Sequence, residues 1–521
     1  MSKNEKLITY TLLAFIIISI FLRFYGLSQE YLSLDEQRSL ISAIKIQKQD
    51  FKSGVMYFQE HPGLGKWLIA LPINFISSNY APLQLLGPNM FAWDFVVYEA
   101  VEDTYTAIKY MNALIGVLAI LFVYLITKKL FNKKAALWGA AIIATSPDMI
   151  AYSRHEILMK IIAITTVLAT IFFYLKYLTE ENKDKRWAYL AITILALTFN
   201  LGSRNFDPLF IIPTIIISQF FINRGKEKLK ENLIVSGLVI ISFLFVFFYT
   251  YPPEAKLFAQ EHLEAKSPTQ LLGFTFLPMI YHALTRNSYL FSLSFILIFV
   301  SIFYYLNKFR EEDKEKPLAN LLNFAKPNDA KAVLLIFLLV SFIGIGFTRL
   351  GSGMTYNITF FAAVFTLAGI VITKLIEKKQ ILKYVFLLII LINTIQILPN
   401  FPYSTWDYSN LKLGEKFHQD QDDKNVPESI LKELETLNNP PINSNMLSVL
   451  VFYKGEKSAM SIPVQSICTQ EYFNNLLTKN PLILTKNNIQ QEQFICPAYK
   501  QLPLKEIKNF DEKAFLYKIE T

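Results

Sequence analysis

Two adjacent carboxylates, Asp35 and Glu36, lie in the string Leu34-Asp35-Glu36-Gln37-Arg38, with Tyr31 and Leu32 just upstream. A carboxylate beside an apolar surface is harder to ionise than one in water, so it can act as a general base. Neighbouring residues project in different directions. One of the pair would face a substrate, and the other would orient it or hold a cation. The plainer alternative is a solvated loop start.

Further along comes Gln59-Glu60-His61-Pro62-Gly63-Leu64-Gly65-Lys66-Trp67-Leu68-Ile69-Ala70. Pro62 suits an entry turn, and Gly63 and Gly65 admit a close backbone approach. Lys66 falls in the first turn of a short interfacial helix. It is either a snorkelling lysine or, with the helix N-terminus, a holder of an anionic headgroup. Three other clusters each bring one arginine: Tyr152-Ser153-Arg154-His155-Glu156, Gly202-Ser203-Arg204-Asn205, and Arg349-Leu350-Gly351-Ser352-Gly353-Met354-Thr355-Tyr356. Arginine suits phosphate because its planar fork matches the oxygens.

These residues need elements to hold them. The chain has 521 residues, 53% hydrophobic and 18% charged, against about 25% charged for soluble domains. That excludes a disordered or fibrous protein and disfavours a simple soluble enzyme. About 20 apolar residues span a bilayer core. Such stretches occur at roughly 7–24, 107–127, 135–151, 156–178, 187–202, 206–222, 232–251, 289–306, 332–349, 355–374 and 382–399. The reading is a multi-pass α-helical membrane protein with about 11 transmembrane helices. The first run is too long for a signal-peptide core and has no small-residue cleavage site after it, so it reads as a retained helix.

Orientation follows from Lys and Arg in short loops. With the N-terminus cytoplasmic, each inner segment carries Lys or Arg, among them Lys128, Lys129, Lys133, Lys134, Lys185, Arg186, Lys228, Arg310 and Lys378. The outer segments then include 25–106, the first outer loop, and 400–521. Arg154, Arg204 and Arg349 sit outside, against that trend, beside the two carboxylates. The stretches between helix ends are nearly free of ionisable residues, which suits surface chemistry on a lipid-borne substrate better than transport. Basic charge spread over many loops does not make a nucleic-acid patch.

Residues 400–521 differ. They hold 13 Lys and 15 Asp or Glu, a net of −2 against +9 for the whole chain. Helical patterns (427–437, 471–478) alternate with strand-like runs (447–453, 482–485, 514–519), the pattern of a small C-terminal extracytoplasmic α/β domain. The expected division is therefore 1–399 and 400–521. Both cysteines, Cys468 and Cys496, lie in this tail. They form a candidate disulfide in an oxidising compartment, or two buried thiols.

Asp35-Glu36 followed by His61-Pro62-Gly63-Leu64-Gly65-Lys66 resembles the first outer loop of protein O-mannosyltransferases, which carry an Asp-Glu pair and a His-Pro-Pro-Leu-Gly-Lys string. The aminoarabinose transferases of lipid A are relatives, within the C-type (GT-C) glycosyltransferase superfamily. Arg23-Phe24, Asn112-Ala113-Leu114-Ile115-Gly116, Ser146-Pro147, Ser153-Arg154 and Gly202-Ser203-Arg204 are similar too. The resemblance covers roughly residues 20–220. It implies a GT-C fold in the plasma membrane. It also implies transfer of a sugar from a polyprenyl-phosphate donor to a hydroxyl of a protein or glycolipid acceptor, on the outer face and with inversion. Asp35 would be the general base, supported by Glu36. Lys66, Arg154, Arg204 and Arg349 would hold the phosphate, and His61, Glu156 and Tyr356 would contribute to substrate binding. The sequence departs from the family at Gly63, where the family has a second Pro. It departs again at Met159, where the mannosyltransferases carry an Asp.

No motif requires a metal. Asp35, Glu36, His61 and Glu156 are the groups near the site that could ligate a divalent ion. Two other functions compete: a transporter or flippase of lipid-linked sugars, and a receptor whose exported tail binds a partner. Substrate crossing a bilayer without covalent transfer would mark the first. Loss of all binding on deletion of 400–521 would mark the second.

Overall fold

The computed structural model describes residues 3–25, 27, 39, 42–44, 46–47, 63–75, 101–154, 160–203, 207–222, 228–250, 296, 331–346, 358–397, 425–437, 442–444, 482–485, 504–510 and 515–519. They fall into two compact units. The first comprises 1–28, 58–69 and 109–417, the second 29–57, 70–108 and 418–521.

The helices are α1 (Lys3–Phe24), α2 (Gly63–Ala70), α3 (Val101–Leu130), α4 (Lys133–Thr145), α5 (Pro147–Arg154), α6 (Lys160–Thr179), α7 (Lys183–Leu201), α8 (Ile211–Ile222), α9 (Leu229–Tyr249), α10 (Lys331–Gly346), α11 (Ile358–Lys378), α12 (Ile381–Ile397) and α13 (Asn425–Thr436). The apolar stretch 289–306 lies outside the described residues apart from Ile296. The described residues of the other expected spans are helical, with 135–151 divided between α4 and α5.

Among the described residues, four segments are long and apolar enough to cross a bilayer: Lys6–Phe24, Ala107–Leu130, Lys160–Thr179 and Leu229–Tyr249. Their faces are the reverse of a soluble helix. On α9, Asn232, Val235, Ser236, Val239, Ser242 and Val246 are buried, while Leu233, Ile240, Ile241, Leu244, Phe245 and Phe248 are exposed. On α1, Ser19 and Arg23 are buried, while Leu13, Ile17 and Phe21 are exposed. Large apolar side chains outside and hydroxyls inside suit a hydrocarbon surround. The chain is an integral membrane protein.

Small residues set a close helix crossing. A Cβ on Gly369 of α11 would lie 2.6 Å from the Ala135 carbonyl oxygen and 2.7 Å from the Gly139 nitrogen of α4. The two backbones touch, and the buried residues Ala135, Ala136 and Ala140 continue that face. Such contacts drive helix association where burial of oil against oil cannot.

At one end of α6, α7, α8 and α9, a buried polar network ties the helices. The Tyr174 hydroxyl donates to Gln219 Oε1 at 2.9 Å, and Gln219 Nε2 donates to Asn232 Oδ1 at 3.1 Å. The Tyr177 hydroxyl donates to Glu231, which also pairs with Arg186. Arg186 stacks over the Tyr177 ring at 4.7 Å.

The sequence suggests one helix over 135–151, and the structure breaks it. Ser146 is extended, with φ −66° and ψ 120°. Pro147 forces this, because a residue before proline is pushed out of the helical region. α5 then restarts, with Ile150 N donating to Ser146 O at 3.0 Å.

In the second unit, β1 (Ile442–Ser444), β2 (Leu482–Thr485), β3 (Leu504–Asn509) and β4 (Phe515–Ile519) form one sheet. Its order is β1-β2-β4-β3. β1 and β2 are parallel, and the other pairs are antiparallel. Ile430 and Leu434 of α13 are buried, and Glu433 pairs with Lys508 of β3. β2 and β4 coincide with two expected strands. The expected strand 447–453 and helix 471–478 lie outside the described residues, as do the boundary at 399/400 and both Cys468 and Cys496.

Candidate functional site

Of the residues singled out in the sequence, Lys66 and Arg154 are described. Asp35, Glu36, His61, Glu156, Arg204, Arg349 and Tyr356 lie outside the described residues.

Lys66 sits in α2, which is strapped to two helix ends. Gly63 N donates to Thr250 O, just past α9, at 2.9 Å. Gly65 N donates to Gly202 O, the residue that ends α7, at 2.9 Å. Leu64 packs onto Gly202, where any Cβ would collide with its side chain. Trp67 stacks near Phe199 at 6.3 Å. The close approach expected of Gly63 and Gly65 is thus made through their N–H groups. Lys66 is 0% exposed. A snorkelling lysine would keep its ammonium in water, so that reading fails here.

Arg154 is the last residue of α5 and is buried. Its Nη1 donates to Tyr25 O at 2.8 Å, with Leu22 O at 3.3 Å and Arg23 O at 3.5 Å. These are the last carbonyls of α1, which have no partner within their own helix. A cation there also meets the negative end of the helix dipole.

Arg23, noticed in the sequence only as part of a motif, does the reciprocal work. It is 0% exposed. Its Nη2 donates to Ile143 O at 3.1 Å, and its Nη1 to Ala144 O at 3.0 Å and Ser19 Oγ at 2.6 Å. Its Nε donates to Ser153 Oγ at 3.1 Å. Ile143 O would normally receive the N–H of residue 147, and Pro147 has none. Arg23 supplies the missing donor.

Two further cations, Lys109 and Lys160, are buried near this end of the first unit. Lys160 lies over the Tyr152 ring at 4.7 Å. Tyr110, next to Lys109, stacks on Phe24 at 5.6 Å. Thr165 Oγ1 donates to Ile115 O at 3.1 Å, and Asn200 Nδ2 donates to Ala163 O at 2.9 Å. One end of the first unit therefore holds Arg23, Arg154 and Lys160 at helix ends, with Lys66 on the short α2 and Lys109 about two turns into α3. Buried charges are rare in a membrane protein and concentrate at functional sites. The signal for Lys109 was a lone charge at the start of an apolar run, and for Lys160 a charge just inside one. Among the described residues, no group of three His, Cys, Asp or Glu could hold a metal.

The family described as dolichyl-phosphate-mannose-protein mannosyltransferase matches residues 87–251, from before α3 to the end of α9. Among solved structures, ArnT from Cupriavidus metallidurans bound to undecaprenyl phosphate is similar at 13% identity and a TM-score of 0.56, covering 97% of each chain. The same protein in the apo state is similar at 11% identity and a TM-score of 0.59, covering 99% of this chain and 98% of that one.

The chain shares the fold of these structures.

The archaeal oligosaccharyltransferase AglB from Archaeoglobus fulgidus, in complex with an inhibitory peptide and a dolichol-phosphate, is similar at 11% identity and a TM-score of 0.50. It covers 100% of this chain and 75% of its own. A comparison with curated proteins finds no match. Against the mannosyltransferase string His-Pro-Pro-Leu-Gly-Lys, this chain has Gly63 in place of the second Pro. The structure gives that departure a use, because a proline could not donate to Thr250 O.

Proposed function

We propose that this protein is an integral-membrane glycosyltransferase that moves a sugar from a polyprenyl-phosphate donor to an acceptor hydroxyl on the outer face of the membrane. The observation that carries the reading is the set of buried cations at one end of the first unit: Arg23, Lys66, Lys109, Arg154 and Lys160. Guanidinium and ammonium groups at helix ends are chemically suited to an anionic lipid headgroup. The match of residues 87–251 to a mannosyltransferase family adds support. So does the fold shared with an enzyme solved with undecaprenyl phosphate.

Transfer with inversion needs a base on the acceptor hydroxyl and stabilisation of the departing phosphate. Asp35 takes the first role, with Glu36 supporting it. Lys66 and Arg154 take the second, joined by Arg204 and Arg349. His61, Glu156 and Tyr356 contribute to substrate binding. The N-terminus is cytoplasmic and the 400–521 domain is on the outer side, which follows the Lys and Arg distribution.

The test uses purified protein and labelled polyprenyl-phosphate sugars, with an Asp35→Asn variant. We expect wild-type transfer and a loss of at least about 10²-fold in the variant, the scale of removing a general base. Undiminished transfer by the variant would remove Asp35 from the mechanism. Lipid-linked sugar crossing proteoliposomes with no covalent product would replace the enzyme with a flippase.

A further inference from the structure

We propose that Arg23 is a positioning residue for Arg154, acting through Ser153, and that the affinity for the donor's phosphate depends on it. The proposal rests on the reading of Arg154 as a phosphate-binding group. The geometry runs through the broken helix. Pro147 deprives Ile143 O of its helical donor, so nothing in the backbone fixes the angle between α4 and α5. Arg23 spans that break. Nη2 and Nη1 hold the last turn of α4 at Ile143 O and Ala144 O, while Nε holds the last turn of α5 at Ser153 Oγ. Ser153 is the residue before Arg154, and its hydroxyl donates on to Met149 O at 2.6 Å. The guanidinium thus sets how far α5 swings from α4, and with it where the last residue of α5 stands.

The surroundings leave this link little slack. Gly116 of α3 lies against it, and a Cβ there would collide with Ser153 Oγ and come within 3.1 Å of Arg23 Nε. Arg23 itself is pinned to its own helix through Ser19 Oγ. Its neighbours Leu22 and Ile150 are both buried. Among the described residues, Arg23 donates to hydroxyls and carbonyls, so its charge serves geometry rather than an ion pair. A planar fork can hold two helix ends at fixed separation, which a lysine ammonium cannot.

The experiment compares full-length wild type with Ser153→Ala, Arg23→Met, Arg154→Met and the double Arg23→Met/Arg154→Met. Each is titrated with a short-chain polyprenyl phosphate lacking sugar, and thermal unfolding of each free protein is recorded. Ser153→Ala cuts only the link to α5 and keeps the helix caps, so it decides the matter if Arg23→Met fails to fold. We expect Ser153→Ala and Arg23→Met each to weaken the lipid phosphate at least about tenfold. The double variant should bind no worse than Arg154→Met alone, because residues acting as a unit are non-additive. Unchanged affinity in Ser153→Ala, with affinity lost in Arg154→Met, would overturn the positioning role and leave the site reading intact. Additive losses in the double variant would overturn it too. Wild-type affinity in Arg154→Met would instead overturn the site reading itself, and the proposal with it.

Discussion

Arg23 and Arg154 cap each other's helices. Arg23 lies on α1 and donates to the last carbonyls of α4, while Arg154 ends α5 and donates to the last carbonyls of α1. Two buried guanidiniums at one crossing would repel if they did nothing else. Here each occupies the negative end of a helix dipole, and each satisfies carbonyls that would otherwise be orphaned in a dry environment.

Pro147→Ala tests how much that arrangement matters. The new N–H can bond Ile143 O within the helix, so α4 and α5 can run on as one. Arg23 Nη2 then loses its acceptor, and the end of α5 is re-aimed. We expect thermal stability unchanged or raised, since an interior proline costs about 3 kcal/mol. The KM for donor should rise about tenfold, the scale of a displaced binding group. Steady-state kinetics beside an unfolding curve read both quantities. An unchanged KM would show that the break does not place Arg154.

Gly63→Pro tests the strap that carries Lys66. It restores the family's string, yet it deletes the N–H that donates to Thr250 O at 2.9 Å. A single neutral hydrogen bond is worth about 1 kcal/mol net, and a buried carbonyl left without its donor adds to that cost. The expected result is a modest fall in melting temperature and a clear loss of donor binding, because Lys66 is three residues away. Full retention of binding would mean that Gly65 alone, through Gly202, holds the lysine.

The helices were legible in the sequence because a spanning helix must carry a long apolar run, and α3, α6, α9 and α11 do. The break at Pro147 was visible as a residue, but apolar continuity on both sides hid its effect. Lys109 and Lys160 escaped because one or two charges in a helix of about 20 mostly apolar residues barely move a window average. The work of Arg23 could not be read locally, since its partner Ser153 lies 130 residues away. In the second unit, β2 (Leu-Ile-Leu-Thr) announces itself by composition. β3 (Leu-Lys-Glu-Ile-Lys-Asn) does not. It lies at the edge of its sheet, where charged side chains are favoured and the apolar signal is weak.

Gly369→Ala and Gly237→Ala form a matched pair. A Cβ on Gly369 meets the backbone of α4 at 2.6 Å, and backbone cannot swing aside. The helices must part, and we expect a loss of about 1–3 kcal/mol, the usual cost of overpacking. Gly237 on α9 has nothing within 4 Å of the same added atom. There the helix only gains by losing its most flexible residue, by about 0.5–1 kcal/mol. Opposite shifts in melting temperature are expected. Equal shifts would mean that α4 and α11 do not touch as closely as the structure shows.

Glu231→Ala separates stability from the site. Glu231 accepts from Tyr177 and pairs with Arg186, so its removal strands a tyrosine hydroxyl and a guanidinium among α6, α7 and α9. Charge-assisted hydrogen bonds contribute about 1.5–3 kcal/mol each, reduced here by partial exposure. The melting temperature should drop by several degrees. Tyr177 lies 17 residues beyond Lys160 on α6, which at 1.5 Å per residue is about 25 Å along the helix. The network therefore sits at the end of α6 away from Lys160, and away from Arg154, which precedes it in the chain. Donor KM should stay at the wild-type value at temperatures where the variant is folded. A KM that rises in step with the lost stability would show that the bundle transmits strain from one end to the other, and that Arg154 and Lys66 are not held by local contacts alone.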